Sequence, residues 1–121
     1  MKASELANVV RVRFNLAPGI ALGPGKADLL EGIRETGSIA AAGRRMRMSY
    51  KRAWQLVDEL NRLFDTPLVA ASKGGSGGGG ASLTRAGADV LARYRRMHAA
   101  CCVAVAKDLS ALLKHRSSPA D

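Results

Sequence analysis

Basic side chains are concentrated in one interval of this sequence. No carboxylate occurs from position 36 to position 57, although Lys and Arg are frequent there. The cations of this interval are Arg44, Arg45, Arg47, Lys51 and Arg52. Guanidinium and ammonium groups bind phosphate oxygens, and the whole chain carries 19 Lys and Arg against 10 Asp and Glu. This excess of positive charge indicates a polyanionic partner such as nucleic acid.

A glycine run, GGSGGGG at positions 74–80, is the second feature with chemical potential. It formally satisfies the G-x-G-x-x-G pattern of dinucleotide-binding loops, but the helix that should open within such a loop is absent, because "ASLT" follows. No G-K-[S/T] follows either, so a P-loop is excluded. Two interpretations remain, a flexible linker and the tip of a β-hairpin. A linker would need an independent domain on each side, and 121 residues leave little room for two.

Catalytic and metal chemistry are not indicated. Asp58 and Glu59 are adjacent and would diverge on a helix, and no Ser/His/Asp set is localised. Cys101 and Cys102 are also adjacent, so an intrachain disulfide between them is not expected, and they are interpreted as apolar filler rather than as oxidant sensors. We therefore predict no enzyme activity, no cofactor and no metal. Without a membrane-spanning run or a signal-peptide core, a reduced cytoplasmic location is expected.

The chain begins with an alternating pattern and continues with helical ones. "NVVRVRFNL" at 8–16 predicts a half-buried strand, and "APGIALGPG" predicts a connector. "KADLLEGIRETG" predicts a helix that ends at Gly37, and Ser38 is placed to cap the short helix "SIAAAGRRM". Ser49 is a second N-cap, for "SYKRAWQLVDELNRLF", in which Trp54 is expected to face the core together with Ala53, Val57, Leu60 and Phe64.

The second half predicts a hairpin and a long helix. "TPLVAAS" and "ASLT" indicate two short strands around the glycines, and Thr84 is placed to cap a helix that runs to about His115. Apolar positions follow this helix at steps of mostly three and four, and so long a stripe needs a partner, most simply a second copy. The predicted dimer-interface residues are Leu91, Tyr94, Met97, Cys101, Val105, Leu109 and Leu112.

This order of elements is that of a winged helix-turn-helix, in which the hairpin is the wing. We predict a mainly α fold with a small β-hairpin, a single domain over 1–121 divided into 1–83, a long dimerisation helix over 84–115 and a tail over 116–121. The predicted DNA base contacts are Ser49, Tyr50, Lys51, Arg52 and Gln55. The predicted phosphate and wing contacts are Arg44, Arg45, Arg47, Lys73, Gly75, Ser76, Gly77 and Arg85.

The roles of the base contacts remain open at this point. Arg52 or Lys51 could bond guanine O6 and N7, and Gln55 could bond adenine. Tyr50 could reach a phosphate or a thymine methyl group. The glycine wing would position the protein on the backbone without reading sequence.

Several motifs carry a resemblance to one family. "TGSIAAAG", "MSYKRAW", "ELN", the glycine wing and "LTRAG" resemble the N-terminal, LysR-like DNA-binding domain of ModE-type molybdate-responsive transcriptional regulators, over about residues 8 to 112. The resemblance implies a winged helix, a homodimer, a palindromic double-stranded operator and regulation of molybdate-related genes. A departure is Arg47, where such turns often have glycine and where a left-handed backbone would cost about 1 kcal/mol.

The second departure is length. The family adds C-terminal molybdate-binding domains of β-barrel type, and we expect none in these 121 residues, so sensing is carried over to no residue. Three alternatives follow for the control of this protein: a separate protein senses the oxyanion, this protein responds to another effector, or it acts constitutively. A rival interpretation from another class is a protein-interaction winged helix that pairs with a separate oxyanion-sensing subunit.

Overall fold

The computed structural model describes residues 2–72 and 80–117. The elements over these ranges form two antiparallel hairpins and a set of helices. In chain order they are α1 (Ala3–Val9), β1 (Phe14–Ala17), β2 (Ile20–Leu22), α2 (Pro24–Thr36), α3 (Ile39–Arg45), α4 (Tyr50–Leu63), β3 (Val69–Ser72), β4 (Gly80–Leu83) and α5 (Arg85–Lys114). The mainly α fold with a wing hairpin is confirmed, with a second hairpin that the sequence patterns did not predict.

The N-terminal segment departs from the predicted strand over 8–16. The chain is helical up to Val9, and strand pairing begins only at Phe14, against β2 in the stretch expected to be a connector. The intervening residues have no strand partner among the described residues, and α5 binds them instead. The Tyr94 hydroxyl donates to the Val12 carbonyl oxygen at 2.7 Å, and His98 Nε2 lies 2.6 Å from the Val10 carbonyl oxygen. The alternation therefore correctly predicts extended backbone, but the partner is a helix.

The helix boundaries follow the local signals in the sequence. Gly37 ends α2 in the left-handed region, at φ 71°, with its N–H on the Ile33 carbonyl oxygen at 2.8 Å. The Ser38 hydroxyl accepts a hydrogen bond from the Ala41 N–H at 3.0 Å and so caps α3. A Cβ at Gly32 would stand 3.0 Å from that of Ala42, so α2 and α3 approach as closely as small residues allow. The expected close packing of the short helix is confirmed.

The wing hairpin is tied to α4 by one amide side chain. Asn61 Oδ1 accepts the N–H groups of Leu68 and Val69 at 2.8 and 3.0 Å, and its Nδ2 donates to the Val69 carbonyl oxygen at 3.1 Å. β3 pairs with β4 in antiparallel register from Val69 opposite Leu83 to Ser72 opposite Gly80. The base of the wing therefore has a fixed position relative to α4.

The core lies between α2, α4, the wing strands and the first half of α5. Its largest fully buried side chains are Leu29, Leu30, Ile33, Val57, Leu60, Leu68, Leu91 and Tyr94. On α4 the inward positions are Ala53, Leu56, Val57 and Leu60. The prediction that Trp54 belongs to the core is wrong: this side chain is 38% exposed, because Leu56 occupies the inward position instead.

The stripe predicted along α5 also needs a correction. Tyr94 is only 1% exposed, and Leu91 is equally buried, so both side chains pack in the core of the protomer itself and are unavailable to a second copy. Burial raises the pKa of the Tyr94 phenol above its ordinary value, although the nearby Arg95 guanidinium acts in the opposite direction. Further along the helix the apolar side chains are more exposed.

Candidate DNA-binding surface

The helix-turn-helix unit consists of α3, a short turn and α4. In the turn the Met48 N–H donates to the Gly43 carbonyl oxygen at 3.0 Å, and a Cβ at Gly43 would stand 3.0 Å from that of Ala53. The Ser49 hydroxyl accepts from the Arg52 N–H at 3.0 Å and fixes the start of α4 at Tyr50, as predicted. The two helices are therefore held at close range, and Tyr50, Lys51 and Arg52 at the start of α4 are exposed.

Arg47 lies in this turn with a left-handed backbone, at φ 57°. Among the described residues it is the one non-glycine residue with positive φ. The sequence pattern raised this conformation as a possibility, because such turns often have glycine here, and it costs a non-glycine residue about 1 kcal/mol. The side chain itself is exposed. The turn thus accepts strain and keeps a cation next to the start of α4.

Four side chains share the outer surface at the start of α4, and we call them the recognition surface. They are Tyr50, Lys51, Trp54 and Gln55, and the Asp58 carboxylate lies at the border of this surface. Tyr50 is 61% exposed, and its ring meets that of Trp54 edge-to-face, with centroids 6.1 Å apart at an interplanar angle of 79°. Trp54 was not among the predicted contacts. The signal that could have found it is the four-residue spacing of the two aromatics, which puts both on one face of a helix.

Arg52 lies on a different flank of α4 from the recognition surface. It lines a shallow depression with Leu56, Glu59 and the start of α2. In this depression Lys26 Nζ donates to the Ala21 carbonyl oxygen at 2.7 Å and stands 3.2 Å from a Glu59 carboxylate oxygen. The predicted base contacts are therefore divided between two flanks, and Arg52 shares its depression with the N-terminus of α2.

The acidic groups that border the α3 and α4 surface are engaged with cations. Glu35 Oε1 accepts from Arg45 Nη1 at 2.6 Å, and Asp58 pairs with Arg62. Four of the predicted contacts are exposed and take part in none of the ion pairs among the described residues. These are Arg44, Arg47, Lys51 and Arg52. The surface around the helix-turn-helix therefore has excess positive charge, whereas Arg45 is partly neutralised.

Of the predicted contacts in the wing and directly after it, only Arg85 lies within the described residues. Lys73, Gly75, Ser76 and Gly77 lie outside the described residues. Arg85 is the first residue of α5 and is exposed, directly after the Thr84 hydroxyl that caps the helix by accepting from the Gly87 N–H at 3.0 Å. Thr84 also donates to the Pro67 carbonyl oxygen at 2.7 Å, so Arg85 follows a firmly held residue.

The outer half of α5 carries the remaining predicted interface side chains. Met97, Val105 and Leu112 are exposed, with Leu112 at 68%, and Cys101 and Leu109 are half-buried. Cys102 is buried, and its sulfur lies 3.7 Å from His98 Nε2, without a third metal-binding side chain beside them in the described ranges. Over the same part of the chain, no helix combines the length and the apolar character that a bilayer crossing requires.

The fold and this surface define a helix-turn-helix protein, and comparison with known families agrees. The model of the family described as "Bacterial regulatory helix-turn-helix protein, lysR family" matches residues 27–88, from α2 through the helix-turn-helix and the wing into α5. The chain belongs to this family. Since the family consists of regulatory proteins, the expectation that the chain is not an enzyme agrees with it.

Individual relatives have names that refer to molybdenum or to transcriptional regulation. The chain is 44% identical over 96 residues to the molybdenum-pterin-binding protein MopB of Rhodobacter capsulatus, which is 79% of this chain and 34% of that protein. It is 38% identical over 89 residues to the molybdenum transport protein ModE of Azotobacter vinelandii, covering 74% and 33% of the two chains. With the DNA-binding transcriptional dual regulator ModE of Escherichia coli K12 it shares 41% over 71 residues, 59% and 27%.

The resemblance to ModE-type regulators predicted from the sequence is thus confirmed. The chain spans about a third or less of the length of each of these relatives.

Proposed function

We propose that this protein is a sequence-specific regulator of transcription that binds double-stranded DNA and controls molybdate-related or molybdoenzyme-related genes. The observation that carries the proposal is the recognition surface at the start of a capped α4, bordered by cations for which the described residues provide no carboxylate. A recognition helix presents its N-terminal residues to base edges in the major groove. Because a transcription regulator acts on chromosomal DNA, its proposed location is the cytoplasm.

The two flanks of α4 suggest a division of roles. Lys51 and Gln55 share the recognition surface and are assigned to base edges, guanine for the first and adenine for the second. Arg52 is assigned to the phosphate backbone beside the α2 N-terminus, together with Arg44 and Arg47. The wing residues Lys73, Gly75, Ser76 and Gly77, and Arg85 after the wing, keep their proposed role as backbone contacts.

A homodimer on a palindromic operator is the proposed active form. Its support is the apolar row on the outer half of α5, in which the described residues leave Met97, Val105 and Leu112 exposed and Cys101 and Leu109 half-buried. Two copies related by a two-fold axis would bury the same row on each and place two recognition helices on symmetric half-sites.

The link to molybdate is proposed from the relatives' names, and sensing is assigned to no residue of this chain. The alternative function is a winged helix that pairs with a separate oxyanion-sensing subunit. The observation that favours it is again the outer half of α5, where Val103 is 80% exposed on a helix that a foreign helix could also cover.

The deciding experiment is a titration of the protein into fluorescent duplexes from the region upstream of its own gene, against scrambled duplexes. If the five cations assigned to phosphates, Arg44, Arg47, Arg52, Lys73 and Arg85, each neutralise one phosphate, the logarithm of affinity should fall against the logarithm of salt with a slope of about −4.5 per protomer. Arg44→Ala should reduce that slope by about 1. Arg93→Ala is the matched control, because Arg93 is exposed on α5 and paired with Asp89.

Molybdate is present in half of the titrations. Selective binding that molybdate leaves unchanged supports a DNA-binding regulator whose sensor lies elsewhere. Equal, weak binding to both duplexes contradicts the proposal. A stable complex with a molybdate-binding protein, combined with indifference to DNA, supports the alternative.

A further inference from the structure

We propose that Trp54 and Tyr50 read thymine methyl groups in the major groove, which makes Trp54 a specificity-determining residue. The inference rests on the proposed DNA-binding function and deepens it by naming the base. Its starting observation is an edge-to-face aromatic pair on the outer surface of α4, with Tyr50 61% and Trp54 38% exposed. Both aromatic side chains are partly exposed on one face of the helix. A partner that covers them would therefore bury additional apolar surface.

Neither aromatic serves the protomer core. The inward positions of α4 are filled by Ala53, Leu56, Val57 and Leu60. The Trp54 ring packs on Tyr50 at the four-residue spacing, and the two rings form a wall beside Lys51 and Gln55. The fold of the single chain therefore does not explain why a tryptophan stands at this position.

The surroundings favour nucleic acid over protein as the molecule that covers this wall. Lys51 shares the surface, Arg44 and Arg47 lie in the preceding helix and turn, and none of the three has a carboxylate partner in the described residues. One acidic group, Asp58, borders the wall, and it is paired with Arg62. Cations on this apolar surface and in the helix and turn that precede it complement a groove whose rims are phosphates.

The chemistry of the major groove then selects the base. A·T and G·C pairs present hydrogen-bond donors and acceptors at their major-groove edges, and the thymine C5 methyl group is the apolar feature there. An aromatic wall has no bidentate fork for guanine or adenine, whereas it packs well on a methyl group. Lys51 and Gln55 on the same surface supply the polar contacts, so thymines are expected next to the base pairs that these two residues read.

The test replaces thymine with uracil, which removes the methyl group and keeps base pairing. A duplex that binds tightly is first selected from a random library with the unaltered protein. It is then resynthesised with deoxyuridine at one thymine position at a time. At one or two positions in each half-site we expect about fourfold weaker binding, the size of the loss of one buried methyl-sized group, about 0.8 kcal/mol.

Variants show whether Trp54 is responsible. Trp54→Ala should bind the thymine duplex several-fold more weakly and should be indifferent to uracil at the same positions, whereas Trp54→Phe should retain part of the discrimination. Val103→Ala removes an exposed apolar side chain from α5 and is the matched control. Far-UV circular dichroism and the thermal midpoint establish that each variant is folded.

The unaltered protein offers an independent readout, because Trp54 is the single tryptophan of the sequence. Its emission reports on this surface alone, and acrylamide should quench it less in the complex than in the free protein. Selective DNA binding with equal affinity for thymine and uracil duplexes, or with unchanged quenching, overturns the inference and leaves the proposed function standing. Failure to select any duplex overturns both.

Discussion

The two halves of α5 differ in what covers them. From Gly87 to Tyr94 the helix is packed against the wing and α2, and its inward side chains are excluded from water. From Val103 to Lys114 the apolar side chains are mostly in solvent, with Leu112 68% exposed. The continuous apolar pattern of α5 in the sequence therefore corresponds to a buried surface in the first half and a more exposed surface in the second half. The first half is packed in the core of the protomer, whereas the described residues leave several apolar side chains of the second half exposed.

The largest effect is expected at Gly87, where α5 touches the wing backbone. A Cβ at this position would stand 2.1 Å from the Leu68 carbonyl oxygen, far inside any permitted contact with a backbone atom. Gly87→Val should lower the free energy of unfolding by on the order of 3 kcal/mol or more, since neither backbone segment can move alone. Chemical denaturation measures it. Gly25→Ala is the control, because a Cβ at Gly25 meets nothing within 4 Å; equal stability of both variants would contradict the close approach.

The next effect compares one substitution in the two halves. Leu91→Ala should cost about 3 kcal/mol, because it leaves a cavity in the core. Leu112→Ala should change stability by less than about 0.5 kcal/mol when measured at concentrations where the protein is monomeric. Urea denaturation of both variants measures the difference. Similar costs at the two positions would show that the outer half is covered within the protomer after all.

The proposed dimer gives a third contrast. Leu112→Glu should weaken self-association at least tenfold, about 1.4 kcal/mol, because a carboxylate would be buried in the apolar row. Val103→Glu should leave it unchanged, since two helix positions turn Val103 by about 200° from Val105 and the row. Sedimentation equilibrium measures both. Dissociation by Val103→Glu alone would place the interface on the opposite face.

The smallest effect concerns the link between α5 and the N-terminal segment. Tyr94→Phe removes the hydrogen bond to Val12 and should cost about 1 kcal/mol at neutral pH. Burial raises the pKa of the Tyr94 phenol in the folded protein, so its contribution is fully present below the unfolded value of about 10 and is lost as pH rises through the folded pKa. Stability measured between pH 9 and 12 should therefore fall more steeply in the unaltered protein than in Tyr94→Phe.

The parts of the fold that local chemistry determines were predictable from the sequence. Ser38, Ser49 and Thr84 each cap the helix expected after them, and Gly37 ends α2 with positive φ. These signals act within a few residues, so they do not depend on the rest of the fold. The helix-turn-helix and the base of the wing followed from them.

The wrong predictions concern sequence patterns whose structure depends on the element that packs against them. The alternation over 10–13 predicted a strand, but the segment bonds to α5 through Tyr94 and His98. The apolar stripe of α5 does not reveal how far the body extends along it, so Leu91 and Tyr94 were assigned to a dimer. Trp54 was assigned to the core, although Leu56 turns inward instead. Tertiary packing settled each of these cases.

Arg47 combines backbone strain and an exposed positive charge in the turn between α3 and α4. With φ 57°, this position would suit glycine, and Arg47→Gly would relax the backbone by about 1 kcal/mol while it removes an exposed cation next to α4. Under the proposed phosphate contact, selection for thermal robustness alone would therefore favour a variant with lower affinity for a polyanion. Stability and the proposed affinity are then opposed at this single residue, and an effort to stabilise the protein should leave this strain in place.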